Sequence, residues 1–205
     1  MSANPFDAAA PAWDTAARRV RLAGDVAEAI RDAVALGPSM DLLDFGCGTG
    51  LLGHALRGEV RSLTGADTSP GMLEAFRAKN PGDPDLRTLL LAPNVPLGGP
   101  YHLVVSSMAL HHLEDLASLF AAFHACLVPG GWVALADLDA EDGSFHGGEA
   151  EGVFHRGFAR GALEGWLRDA GFEEVRTRNA ATTLKEGRAY TVFLLTGQKP
   201  IREMP

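Results

Sequence analysis

Apolar positions along this chain alternate between short continuous runs and longer stretches with helical spacing. From Thr15 to about Leu36, residues Val20, Leu22, Val26, Ala29, Ile30 and Ala33 recur on one helical face, and Gly37-Pro38 ends the stretch. Met40–Phe45, Val60–Ala66, Leu86–Leu91, Tyr101–Ser106 and Trp132–Leu138 read as buried strands. Helices fall between them: Gly50 to Arg57, a Ser69-capped segment with Pro70 at its first position running to Lys79, and Leu113 to Leu127. The last of these carries Leu116, Leu119, Phe120, Phe123 and Leu127 on one face. Pro129-Gly130-Gly131 reads as a turn, and Ala159–Ala170 as a helix closed by Gly171. Val175–Thr183 and Tyr190–Thr196 close the chain as strands, and the short turn between them makes the final strand antiparallel. Met1 to Pro11 is rich in Ala and Pro and reads as a mobile end.

Strands alternating with helices predict an α/β fold, a doubly wound and mostly parallel sheet with helices on both faces. A length of 205 residues fits one main domain, residues 39–205, with an N-terminal helical segment over 1–38. The net charge is −8 and the chain has no basic run, which argues against a nucleic-acid partner. The two cysteines, Cys47 and Cys126, give neither a disulfide framework nor zinc-ligand spacing. Residues 1–11 lack the pattern of a signal peptide, and no apolar stretch reaches the roughly eighteen residues of a membrane span. The expected location is therefore cytoplasmic, away from membranes.

The segment with most chemical content is Leu42-Leu43-Asp44-Phe45-Gly46-Cys47-Gly48-Thr49-Gly50. A strand ends near an acid, and alternating glycines lead into a helix. Gly48-x-Gly50-x-x-Gly53, with Asp67 further on, also satisfies a dinucleotide-binding pattern. A dinucleotide would put its pyrophosphate at this turn, and Asp44 would repel it. A ligand with an ammonium group is attracted instead, and S-adenosylmethionine has one and carries no phosphate. The stretch resembles motif I of the class I S-adenosylmethionine-dependent methyltransferases of small-molecule type. Thr64-Gly65-Ala66-Asp67-Thr68-Ser69-Pro70-Gly71-Met72-Leu73 resembles the second motif of that family, and Ser106-Ser107-Met108-Ala109-Leu110-His111-His112-Leu113 its fourth. The resemblance implies a Rossmann-like sheet in the order 3-2-1-4-5-7-6 and an N-terminal lid. It also implies methyl transfer from S-adenosylmethionine to an O, N or C nucleophile of a small molecule. A non-catalytic adapter with this fold and an NAD-binding oxidoreductase remain as alternatives.

Ligands of such sheets sit beyond the C-terminal strand ends. Cofactor contacts are therefore expected from Asp44, Gly46, Cys47, Gly48, Gly50, Asp67, Thr68, Asn94 and Ser106. Asp67 would take the ribose hydroxyls. The adenine site departs from the family, because Leu89-Leu90-Leu91-Ala92-Pro93-Asn94 has no acid, and Asn94 or backbone groups would serve there. His111 is the candidate general base, against a reading in which it only packs under the cofactor. Trp13, His111, Asp139 and His146 are expected to face substrate. The loop from Asp137 to His146 holds four carboxylates, Asp137, Asp139, Glu141 and Asp142. It reads as a pocket for a cationic or hydroxylated molecule, as a metal set of Asp139, Asp142, His146 and His155, or as a solvated loop. No metal is the expected outcome.

Overall fold

The computed structural model describes residues 4–93, 95–147 and 152–201. Strands β1 (Asp41–Phe45), β2 (Ser62–Asp67), β3 (Leu86–Leu90), β4 (Tyr101–Ser107), β5 (Leu127–Leu138), β6 (Glu173–Lys185) and β7 (Arg188–Gln198) form one sheet in the order β3-β2-β1-β4-β5-β7-β6. The first five strands pair in parallel, and β7 runs antiparallel to both neighbours. The order and the antiparallel last strand agree with those expected.

Adjacent residues on each central strand point to opposite faces, so both faces must be covered. On one side, α2 (Ala17–Ala33) and α3 (Leu51–Leu56) bury Val26, Ile30 and Leu56 against Leu42, Leu63, Leu103 and Leu194. On the other, α5 (Leu116–Cys126) and α6 (Arg160–Asp169) bury Phe120, Phe123 and Leu167 against Leu43, Val104, Leu135 and Phe193. The central strands thus read as continuous apolar runs. Edge strand β3 is only partly buried.

Local chemistry sets the element ends. The Ser69 hydroxyl accepts from Met72 N–H at 3.1 Å and starts α4 (Pro70–Ala78). Asp115 caps α5 by accepting from Ser118 N–H, so that helix begins at Leu116 rather than Leu113. Leu110–His112 forms a 3-10 turn ahead of it. The expected Pro129-Gly130-Gly131 turn lies inside β5, at the irregular register between Tyr101 and Leu103 of β4. There Gly130 N–H donates to the Lys199 carbonyl, and Lys199 N–H donates to that of Gly131.

The described part of the N-terminus is ordered as helix, correcting the expectation of a mobile end. Asn4 accepts from Phe6 N–H and caps α1 (Pro5–Ala9), and a 3-10 turn over Ala10–Thr15 leads into α2. The Asp7 carboxylate then accepts from both Ser69 Oγ and Gly71 N–H, fastening α1 to the start of α4.

Two glycines test this packing in opposite directions. Gly50 has φ +83°, and a Cβ there would lie 2.4 Å from the Phe76 ring, whereas one on Gly24 in α2 would meet nothing within 4 Å. Gly50→Ala is expected to lower unfolding free energy by roughly 2 kcal/mol or more. Gly24→Ala should raise it by about 0.5–1 kcal/mol. Urea unfolding of the two variants beside the parent checks both signs.

Candidate active site

The C-terminal ends of β1, β2, β4 and β5 open on a cavity of about 540 Å³, a volume suited to a cofactor and a small molecule. Its lower wall is the glycine turn. Asp44, at the end of β1, is 1 % exposed, and its Oδ2 accepts from Gly53 N–H at 2.9 Å. A Cβ on Gly53 would stand 2.7 Å from that oxygen, so glycine is required there. Burial pushes the Asp44 carboxyl up to about 7, with nearby Asp67 adding to the effect and the Gly53 hydrogen bond opposing it. Asp67, at the end of β2, accepts from Gly48 N–H at 2.8 Å and from Ser69 N–H at 2.9 Å. Two carboxylates therefore brace one turn from behind. The N–H of Gly53 in α3, which a dinucleotide pyrophosphate would approach, is already engaged by Asp44.

Above the turn, a Cβ on Gly48 would meet only Trp13 Nε1 at 3.8 Å and Met72 Sδ at 3.9 Å. Trp13 thus roofs the turn, held by the Arg19 guanidinium 3.8 Å above its ring. Cys47 N–H donates to the Ala66 carbonyl, and burial pushes its thiol well above the usual range.

The opposite wall carries imidazoles. His111 is 2 % exposed, and its Nδ1 lies 2.7 Å from Oδ1 of the fully buried Asp137. His111 N–H also donates to Asp137 Oδ2, at 3.3 Å. Asp137 fixes the imidazole so that Nδ1 faces the carboxylate and Nε2 is the remaining ring nitrogen. His112 and His146 pack on this ring, with centroids 4.2 Å and 4.7 Å away. Burial lowers both of these imidazoles, His146 to about 4, with His111 contributing to each. Among the described residues, the His146 Nε2 atom is buried without a hydrogen-bond partner.

Of the residues expected at the site, Trp13, Asp44, Gly46, Cys47, Gly48, Asp67, Thr68, His111 and His146 line the cavity. Three do not. Gly50 faces Phe76 and His54 and supports the turn from outside. Ser106 is fully buried in β4, and its neighbour Ser107 lines the wall instead, as strand alternation dictates. Asp139 is turned to Arg160, at 2.6 Å and 2.7 Å. Asn94 lies outside the described residues.

The acidic loop as a whole does not present its carboxylates to the cavity. Asp142 pairs with Arg188, Glu141 accepts from Phe145 N–H, and the loop's contributions to the wall are Phe145 and His146. The described residues contain no group of three or more His, Cys, Asp or Glu placed to hold a metal ion. Nor do they contain a helix long and apolar enough to cross a membrane.

Sequence reading missed Arg18, Lys185 and Phe6 in the lining, and Asp137 as the partner of His111. Asp137 had a signal, an acid at the end of a buried strand. Lys185 had none, because β6 reaches the cavity from far along the chain.

Residues 17–177 match the methyltransferase-domain family. The malonyl-[acyl-carrier protein] O-methyltransferase of Hahella chejuensis is 33 % identical over 140 residues, covering 66 % of this chain and 49 % of that protein. Across the first curated relatives, the chain spans from about a third to about half of their length. A solved complex between the Haloferax volcanii Trm112 methyltransferase activator and a methyltransferase superposes with TM-score 0.79 at 20 % identity, over 98 % of this chain and 100 % of the matched one. A Haemonchus contortus phosphoethanolamine N-methyltransferase in complex with S-adenosyl-L-methionine gives 0.67 at 16 %, over 85 % and 52 %. The family match takes in the glycine turn, both braced carboxylates and the Asp137–His111 pair, and with it the chain belongs to the class I S-adenosylmethionine-dependent methyltransferases.

Proposed function

We propose that this protein transfers a methyl group from S-adenosylmethionine to an O, N or C nucleophile of a small-molecule acceptor. The observation that carries this reading is the meeting of two walls in one cavity: a glycine turn braced by Asp44 and Asp67, and a histidine oriented by Asp137. The turn fits the cofactor. Gly48 leaves open space beside Trp13 and Met72, and the nearest fixed charges are carboxylates, suited to an ammonium group and to ribose hydroxyls. Bound there, the cofactor supplies an electrophilic sulfonium methyl.

The protein's own groups then do four things. Asp67 accepts from the ribose hydroxyls with its remaining lone pairs, beside the backbone bonds it already makes. Leu91 gives the adenine an apolar surface in place of the missing acid. Trp13, with α1 fastened by Asp7, shields the site from water as the lid of the segment 1–38. His111 accepts the acceptor's proton at Nε2, and Asp137 stabilises the imidazolium that results. Orientation of the acceptor supplies much of the remaining acceleration.

The adapter reading draws on one observation, the likeness to a methyltransferase solved with an activator protein. It predicts weak or no cofactor binding. The oxidoreductase reading meets two buried carboxylates where a pyrophosphate would lie.

Calorimetric titration separates the three. S-adenosylhomocysteine should bind with micromolar affinity and NAD should not. Asp67→Ala should weaken the first by about tenfold or more, the value of hydrogen bonds to a charged group. Failure of S-adenosylhomocysteine to bind sinks the enzyme reading.

Asp44 adds a pH dependence. A cationic ligand favours its ionised form, so binding below about pH 7 must expel a proton. Affinity should fall roughly five- to tenfold from pH 7.5 to 6.0, with proton release visible in buffers of different ionisation enthalpy. Affinity that does not change over this range would remove the Asp44–ammonium contact.

His111→Gln should leave S-adenosylhomocysteine affinity near that of the parent while turnover drops about 10²- to 10⁴-fold. Undiminished turnover would reassign His111 to packing.

A further inference from the structure

The two ends of the cavity carry opposite charge. The cofactor end has the two carboxylates Asp44 and Asp67, with Arg19 stacked on Trp13 above the turn. The far end has Arg18, from the start of α2, and Lys185, from the end of β6. Both flank Phe145: the Arg18 guanidinium carbon lies 5.5 Å from its ring centroid and Lys185 Nζ 5.4 Å. Phe145 in turn packs on His146 with centroids 4.9 Å apart, and His146 packs on His111 at 4.7 Å. The cations therefore stand two aromatic rings away from the candidate base, on the same cavity wall.

Neither cation forms an ion pair among the described residues. Arg18 reaches only Thr183 Oγ1, at 3.5 Å, and Lys185 donates to the Phe145 carbonyl. Among the described carboxylates around them, Asp137 is engaged by His111, Asp139 by Arg160, Asp142 by Arg188 and Asp14 by Lys79 at 2.7 Å, while Glu141 accepts from Phe145 N–H and makes no ion pair with either cation. Half-buried positive charge without a counter-charge is costly, and a bound anion offsets that cost. A guanidinium and an ammonium that both approach one aromatic ring suit a carboxylate or similar oxyanion. The contrast is sharper because the whole chain has net charge −8, so this local positive field opposes the molecule's own.

We propose that the methyl acceptor is an anionic small molecule whose oxyanion group sits between Arg18 and Lys185 beside Phe145, with its nucleophile at the opposite end, toward His111. This rests on the methyltransferase reading above. It departs from the cationic half of the expectation, drawn from the acidic loop, of a cationic or hydroxylated acceptor. Phe145 provides an apolar surface for the body of such a molecule, and the His146 ring continues the wall toward His111.

The test is thermal-shift titration of the S-adenosylhomocysteine-saturated protein with small acids and their skeleton-matched amides and amines. Para-hydroxybenzoate, para-hydroxybenzamide and tyramine form one such set. The acids should bind at least tenfold tighter than their matched amides and amines, and more weakly as salt rises. Arg18→Gln and Lys185→Gln should each cut acid affinity by about fivefold or more, and Lys185→Arg should restore it. Calorimetry of S-adenosylhomocysteine on each variant reports whether the fold and cofactor end are intact. Preference for amines or amides, no acid binding in any set, or acid binding undiminished in the folded Gln variants would overturn the proposal. Failure of S-adenosylhomocysteine itself to bind would instead strike the methyltransferase reading, because the same acid series can be run without it.

Discussion

A carboxylate buried at the end of the first strand organises the cofactor end of this molecule. Asp44 has almost no exposure to water, and its best partner is the Gly53 N–H in the first turn of α3. That bond requires glycine at 53 and aims α3 back from the sheet. It also brings the turn between β1 and α3 within reach of Asp67, which takes the Gly48 N–H. Two acids in so small a volume repel, and burial already raises Asp44 to about 7. A ligand cation relieves both penalties, so the same constraint that shapes the turn selects for positive charge within it.

The acceptor end follows a different logic. Four elements distant in sequence meet there: the start of α2, the 3-10 turn carrying His111 and His112, the loop after β5, and the end of β6. Asp137 is the fixed point, since it accepts from the backbone of His111 and lies 2.7 Å from its ring. Asp139 and Asp142 of its loop turn to Arg160 and Arg188 and Glu141 to the Phe145 backbone, leaving aromatic rings and cations toward the cavity. A cavity acidic at one end and basic at the other orders its two ligands by charge.

The N-terminal segment links the two ends. Asp7 docks α1 on the start of α4, Trp13 lies over the glycine turn, and the Phe6 ring meets His112 at 5.5 Å.

Much of this was legible in the sequence because its signals are local. Apolar runs gave the strands, Ser69-Pro70 gave the start of α4, and the spacing of Asp44, the glycines and Asp67 gave the cofactor end. Those residues lie within a single β-α-β unit, where chain connectivity nearly dictates geometry. The capped α1 was missed because two prolines and a run of alanines outweighed its Asn4 cap. Ser106, Gly50 and Asp139 were placed on the wrong side because one step along a strand or turn reverses a side chain, and because an arginine from another element can claim a carboxylate. The sequence by itself determined the alternation of strands and helices and, through its motifs, the family. Only the tertiary structure decided the partner of His111, the pairing of Asp139 and Asp142 with arginines and the convergence of Arg18 and Lys185 on Phe145, because each joins residues that approach one another only after the sheet has closed its long-range pairings.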